Sequence, residues 1–112
     1  MEFVVTEVAG VTKASLNGRL DTSNVDKVET SFTASILPKG KNTAIDLTEV
    51  TFIASLGIRM LLTIARTLSQ RGASLVMFGA MPNVHEIIET TALSDIIPLY
   101  VTEEEAIAAL SA

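Results

Sequence analysis

The sequence predicts an α/β protein in which a mixed sheet of four to five strands is covered by about four helices, as one compact domain spanning residues 1–112. Short runs rich in Val, Ile and Thr alternate along the chain with segments whose apolar residues recur at helical spacing. Hydrophobic residues make up 48% of the 112 residues and aromatic residues only 4%, so the core is aliphatic. This alternation favours a sheet with helices packed on its faces.

The chain begins with a predicted β-hairpin. Two β-branched runs, at residues 3–8 and 11–16, are separated by Ala9 and Gly10. A two-residue connection that ends in glycine is typical of an antiparallel hairpin. Gly18 interrupts the continuation of the second strand, which predicts a bulge or a close approach of another backbone.

A helix is predicted to begin at the polar cluster of residues 21–24, Asp-Thr-Ser-Asn, because short polar side chains accept hydrogen bonds from the free N–H groups of a first turn. Its apolar residues are Val25, Val28, Phe32 and Ile36. Residues 38–40, Pro-Lys-Gly, end this helix, and residues 43–47 form a short buried strand.

The second helix has the clearest apolar face of the chain. That face is formed by Ile53, Leu56, Met60, Ile64 and Leu68, with Leu61 and Ala65 beside it. The polar face carries Arg59, Thr63, Arg66 and Gln70, and the helix ends at Arg71 and Gly72. A buried strand at residues 73–78 follows, so the strand-helix-strand order predicts a parallel pair with a right-handed crossover.

The remaining elements are a helix that starts at Pro82, a short edge strand at residues 98–101 and a final small helix. Leu93, Ile96 and Ile97 are expected to pack beneath the Pro82 helix. Thr102 and Glu105 have the spacing of a capping box ahead of the last helix.

Composition excludes several functions. The net charge is −5 and the eight basic residues are scattered, which argues against nucleic acid as a partner. The chain has no cysteine and one histidine, so neither a metal site nor a cofactor is predicted. No apolar run approaches the length that spans a bilayer, so we expect no membrane insertion and a cytoplasmic location.

Functional sites in open α/β sheets favour the carboxyl ends of parallel strands. The turns after Leu20 and after Leu47 should therefore lie at one end of the domain and bring Asp21 close to Ser55. Ser55 has two interpretations. Its hydroxyl can cap the second helix, or it can carry a phosphoryl group beside the free N–H groups and the positive end of the helix dipole.

An enzyme is not predicted. A nucleophilic Ser55 would need a base, and His85, which is the one imidazole, falls on the polar face of a later helix as a surface residue. The Gly-x-Ser-x-Gly elbow is also missing, because Ile53 stands at the position of its first glycine.

Two stretches resemble the STAS domains of anti-sigma factor antagonists and sulfate-transporter tails. The main one reads Asp46-Leu47-Thr48-Glu49-Val50-Thr51-Phe52-Ile53-Ala54-Ser55-Leu56-Gly57-Ile58, and the second reads Leu16-Asn17-Gly18-Arg19-Leu20-Asp21. The likeness continues through residues 72–77 and the later helix, and covers nearly the whole chain.

The resemblance implies a partner-switching regulator of transcription. In that family the unphosphorylated protein binds an anti-sigma factor serine kinase and releases a sigma factor, the kinase phosphorylates the turn, and a phosphatase restores binding. The usual motif is Asp-Ser-Ser/Thr-Gly with the acceptor directly before glycine. In this chain that acceptor position is Leu56 and the acidic position is Ala54, which leaves Ser55 as the candidate phosphorylation site.

The expected partner-binding residues lie on both turns and on the helix face that follows. They are Asp21, Thr22, Ser23, Ala54, Ser55, Leu56, Gly57, Arg59 and Thr63. The arginines of that face also fit a merely solvated helix surface. The alternative function is a STAS adaptor or scaffold subunit without phosphorylation, which binds protein, lipid or a small ligand, and the apolar Leu56 at the turn favours it.

Overall fold

A computed structural model describes residues 2–111. Its strands are β1 (Glu2–Val8), β2 (Val11–Leu20), β3 (Thr43–Ile53), β4 (Leu75–Phe78) and β5 (Leu99–Tyr100). Its helices are α1 (Val25–Ile36), α2 (Ser55–Gln70), α3 (Pro82–Thr90) and α4 (Glu103–Ser111), with 3-10 turns at Leu37–Lys39 and Leu93–Asp95.

The five strands form one mixed sheet in the spatial order β1-β2-β3-β4-β5. The hairpin pair β1 and β2 is antiparallel, and β2, β3, β4 and β5 run parallel to one another. The predicted α/β class, strand number and helix number are confirmed, as is the parallel crossover through α2.

Local backbone geometry explains the hairpin and the bulge. The two-residue turn of the hairpin has Ala9 at φ 53° and Gly10 at φ 80°, the positive values that a tight hairpin turn of this kind requires. Gly18 has φ 105°, and the register of β2 against β3 shifts between Gly18 and Arg19. Both predictions are therefore confirmed.

Helix ends also follow the sequence. Pro82 occupies the first turn of α3, and Gly72, just past the end of α2, has φ 78°. The capping box of α4 is present: the Glu105 N–H donates to Thr102 Oγ1 at 3.2 Å, and the Thr102 N–H donates to Glu105 Oε1 at 3.2 Å.

The two faces of the sheet carry separate cores, because successive strand residues point to opposite sides. Ile45 and Met77 belong to the larger core, which α1, α2 and α3 cover. On the other face a smaller core of six buried residues joins the sheet to α4, and its members are Val11, Ala44, Val76, Phe78, Ala106 and Leu110. All four predicted apolar residues of α1 are buried.

Three predictions on individual elements were wrong. Strand β3 does not end at Leu47 but continues to Ile53, because its second half still pairs with β2. Ile96 is 56% exposed, whereas Leu93 and Ile97 are buried. Leu56 is 39% exposed, since at 100° per residue it lies on the margin of the α2 stripe that enters the core.

Within residues 2–111, none of the helices combines the length and the apolarity needed to cross a lipid bilayer.

Candidate functional site

The ends of β2 and β3 place two turns side by side. Leu20 pairs with Ile53 in the sheet, and the Ala54 N–H donates to the Leu20 carbonyl oxygen at 2.8 Å. The turn at residues 21–24 therefore adjoins the start of α2, as expected. We call residues 21–24 and 54–57 the paired turns.

The first of the paired turns is held by its own side chains. Asp21 Oδ1 accepts hydrogen bonds from the Ser23 N–H at 3.0 Å and from the Ser23 hydroxyl at 2.6 Å. Asn24 Oδ1 accepts from the Asp21 N–H at 3.0 Å, and Asn24 Nδ2 donates to the Arg19 carbonyl at 2.8 Å. Helix α1 starts directly after this cluster, but no side chain caps it, because Asp21 and Asn24 are bonded inside the turn.

These contacts fix the charge of the turn. The hydroxyl of Ser23 is the main cause that lowers the pKa of Asp21, and partial burial opposes it. The Ser23 N–H and the Arg19 guanidinium, whose Nε lies 3.6 Å from Asp21 Oδ2, add to the lowering of this pKa. Asp21 is therefore ionised at neutral pH.

The second turn presents free backbone donors. Ala54 is the capping residue of α2 in an extended conformation, and the helix has no side-chain cap hydrogen bond, so the capping interpretation of Ser55 is wrong. The first intrahelical hydrogen bond runs from the Ile58 N–H to the Ala54 carbonyl at 3.1 Å. The N–H groups of Ser55, Leu56 and Gly57 precede it and have no partner within the helix.

Gly57 sets how closely α2 approaches the sheet. A Cβ atom at this buried position would lie 2.8 Å from both Cγ and Cδ2 of Leu20 and 3.0 Å from Cγ2 of Ile53. Gly57 is thus the one buried residue of the predicted set, and its close packing positions the exposed Ser55 and Leu56.

The polar face of α2 continues from the paired turns. Arg59, Thr63 and Arg66 are exposed as predicted, and the Thr63 hydroxyl donates to the Arg59 carbonyl at 3.0 Å. Helix α2 contains no Asp or Glu, so its exposed face is basic on a chain whose net charge is negative.

Two residues of the site, Arg19 and Phe52, were not predicted from the sequence. The guanidinium carbon of Arg19 lies 4.5 Å from the ring centroid of Phe52, and Arg19 also reaches Asp21. The i,i+2 spacing of Arg19 and Asp21 was the available signal, since it places both side chains on one face at the end of a strand.

His85 does not take part in this arrangement in the way a catalytic base would. It is exposed, and its Nδ1 lies 3.2 Å from Glu89 Oε1 one turn further along α3. The prediction of a surface histidine is confirmed.

Known proteins place this geometry in a family. The model described as STAS domain matches residues 2–106. A Listeria monocytogenes protein named anti-sigma-B factor antagonist is 33% identical over 88 residues, which cover 79% of this chain and 77% of that relative. The Bordetella bronchiseptica protein BtrV, described as an anti-sigma factor antagonist, is 28% identical over 109 residues, 97% of this chain and 94% of the relative.

Solved structures agree on the fold. A crystal structure of an anti-sigma factor antagonist from Mycobacterium paratuberculosis superposes with a TM-score of 0.88 at 24% identity, covering 99% of this chain and 94% of that one. A Thermotoga maritima structure of the same description gives a TM-score of 0.90 at 21% identity, with 98% and 95% covered. The family match over almost the whole chain, together with the Listeria relative, shows that this protein belongs to the STAS domain family.

Proposed function

We propose that this protein is an anti-sigma factor antagonist, a binding module that engages an anti-sigma factor serine kinase in the cytoplasm and so releases a sigma factor. The observation that carries the proposal is the pair of adjoining turns, where an exposed hydroxyl, an exposed leucine and an unpaired row of N–H groups share one surface. The names of the relatives, which call them anti-sigma factor antagonists, support an anti-sigma factor as the partner.

The docking surface consists of the paired turns and the first exposed residues of α2. Its exposed or half-buried residues are Asp21, Thr22, Ser23, Ala54, Ser55, Leu56, Arg59 and Thr63, and the buried Gly57 positions the second turn beneath them. Leu56 supplies apolar area at its centre, and Arg59 supplies a cation of the kind enriched at protein interfaces. The surface acts by non-covalent contact, so the protein is a regulator and not an enzyme.

The switch that we propose is phosphorylation of Ser55, one position before the family's usual acceptor. A phosphoryl group there would meet the N–H groups of the first α2 turn and the positive end of its dipole. It would also add a charge of about −1.5 to −2 beside the ionised Asp21, in the middle of the docking surface. That charge and its hydration oppose burial of Leu56 against a partner.

The phosphorylation step is tested by incubating the protein with the cognate kinase and ATP and mapping phosphate by mass spectrometry. We expect a single phosphate on Ser55, its loss in Ser55→Ala, and its removal by the cognate phosphatase. Phosphate on another residue, or none, would exclude Ser55 as the switch.

The binding step is tested separately with two variants that match in size but differ in charge. Ser55→Asp should weaken binding to the kinase about tenfold or more, because it places a carboxylate in the interface, whereas the neutral and nearly isosteric Ser55→Asn should bind like the wild type. Equal affinity of the two variants would argue against charge control of this surface.

An unmodified adaptor or scaffold remains the second candidate, and the exposure of Leu56 favours it. If Ser55 takes no phosphate and Ser55→Asp changes nothing, but Leu56→Ala abolishes partner binding, the constitutive role is the correct one. Leu56→Met, which keeps the apolar volume, is the matched control in that experiment.

A further inference from the structure

A cleft of about 580 Å³ lies between α2, the beginning of β4 and the end of α4. It opens at the amino ends of the parallel strands, opposite the end that carries the paired turns. Its volume falls in the range of small-molecule sites, roughly 300–1,000 Å³.

The side chain of Asn42 links two walls of the cleft, the start of β4 and the end of α4. Asn42 Oδ1 accepts a hydrogen bond from the Ser74 N–H at 2.9 Å, and Asn42 Nδ2 donates to the Leu110 carbonyl at 3.1 Å. The start of β4 and the end of α4 are thus fixed to the same amide. These two bonds hold the β4 wall and the α4 wall of the cleft in a fixed arrangement.

The edge of β4 is incomplete at the cleft. The backbone N–H groups of Met77 and Gly79 donate to the Pro98 and Tyr100 carbonyls, so the N–H groups of alternate residues face β5. The N–H group of Leu75 faces the same side, but β5 pairs only with Met77 and Phe78. Pro98 has no N–H with which to extend the pairing. The backbone of Leu75 consequently borders the cleft beyond the end of β5.

The lining combines apolar and polar side chains with one cation. Leu75, Val76 and Leu110 are buried, whereas Ile96 lines the cleft as an exposed apolar side chain that does not belong to either core. Arg66 is exposed at the cleft, beside Ser69 one turn later. Among the described side chains, those of residues 3–111, Arg66 has no ion-pair partner, unlike Arg19, which pairs with Asp21.

We propose that this cleft binds a small amphipathic carboxylate, with the carboxyl group on Arg66 and the hydrocarbon part against Leu75, Ile96 and Leu110. The guanidinium group matches a carboxylate with two parallel hydrogen bonds, and Ser69 supplies a further donor. The rest of the lining is mixed: Asn42, Ser74 and Tyr100 contribute polar groups, and Leu75, Ile96 and Leu110 supply the apolar contacts for a short chain or a ring. This site is separate from the docking surface, and the proposal does not depend on the function proposed for that surface.

The test titrates the whole 112-residue protein with decanoate and, separately, with 1-decanol as its uncharged counterpart. Binding is measured by NMR from the chemical shifts of the backbone amides. We expect saturable shifts at Ser69, Leu75 and Ile96 with decanoate at millimolar concentration or below, and markedly weaker ones with 1-decanol. Arg66→Gln should weaken decanoate binding about tenfold or more, because it removes a charged hydrogen-bond donor.

Two further variants keep the result interpretable. Arg59→Gln removes another exposed arginine, two turns earlier on α2 and outside the cleft, so it should leave decanoate binding unchanged. Ala109→Trp places a large ring at an exposed lining position and should block binding without disturbing the core. Absence of saturable shifts in the wild type, equal affinity for decanoate and 1-decanol, or equal losses in the two arginine variants would each overturn the proposal.

Discussion

At the scale of single residues, the charge of the first turn depends on one hydroxyl. Ser23 donates to Asp21 from both its side chain and its backbone, and the hydroxyl is the leading reason that the pKa of Asp21 is lowered. A carboxyl with a lowered folded-state pKa stabilises the fold above its unfolded pKa, and this contribution is lost as the pH falls through the folded value.

We therefore predict that Ser23→Ala raises the pKa of Asp21 toward its ordinary value of about 3.9. A titration of the Asp21 carboxyl carbon by NMR measures this shift. Arg19→Gln is the comparison variant; it should also raise the pKa of Asp21, and each of the two contributions that it removes is smaller than that of the Ser23 hydroxyl. Unfolding experiments on Ser23→Ala should show a weaker loss of stability in acid than the wild type. A Ser23→Ala variant with an unchanged Asp21 titration would contradict this account.

At the scale of elements, the contact between α2 and β2 defines the second turn. Leu20 is fully buried at the end of β2, and the first turn of α2 lies against it because residue 57 has no side chain. The sequence showed the glycine and the helix, but it did not show what the glycine faces. That information depends on the pairing of Leu20 with Ile53 in the sheet.

The variant Gly57→Ala tests this contact, because a tight contact and a solvated helix predict opposite changes in the free energy of unfolding. In a solvated helix the change would stabilise by about 1 kcal/mol. Here the added methyl overlaps Leu20, so we expect a net loss of about 1–3 kcal/mol in the free energy of unfolding, measured by urea denaturation. Ser55→Ala, an exposed change in the same turn, should stay within about 0.5 kcal/mol of the wild type. A stabilised Gly57→Ala protein would show that α2 is free to move away from the sheet.

At the scale of the whole molecule, the sheet separates two cores of unequal size. Three helices cover the larger one, while α4 closes the smaller one through Ala106 and Leu110. The central strands β2 and β3 are flanked on both edges, whereas β5 is two residues long and stands at an edge.

Native-state hydrogen exchange should reflect this division. We expect the amides of β2 and β3 to exchange only through global unfolding, and those of β5 and α4 to exchange through a smaller opening with a lower free energy. Ala106→Gly should lower the α4 protection further and leave the β3 protection nearly unchanged in comparison. Equal protection of Ile45 and Leu110 would mean that the two cores unfold together.

Much of this fold was readable in the sequence because its signals are local. Glycines at positive φ, Pro82 in a first turn and the spacing of Thr102 and Glu105 each act within a few residues. The errors concern features decided by distant partners. The polar residues Thr48 and Glu49 read as the end of a strand, yet β3 continues, because its pairing with β2 resumes at Glu49 and extends to Ile53. At the site, the adjacency of the two turns followed from the parallel topology, whereas the contact of Arg19 with the Phe52 ring depends on the register shift at Gly18.

The hydrogen bond from Ala54 to Leu20 has a further consequence for recognition. It ties the backbones of both turns to the sheet, so a partner meets a surface whose main chain is already in its final conformation. The entropy lost on association is then confined to side chains such as Ser55, Leu56 and Arg59. Such a preorganised surface favours rapid exchange between partners, because neither association nor dissociation has to wait for a loop to fold.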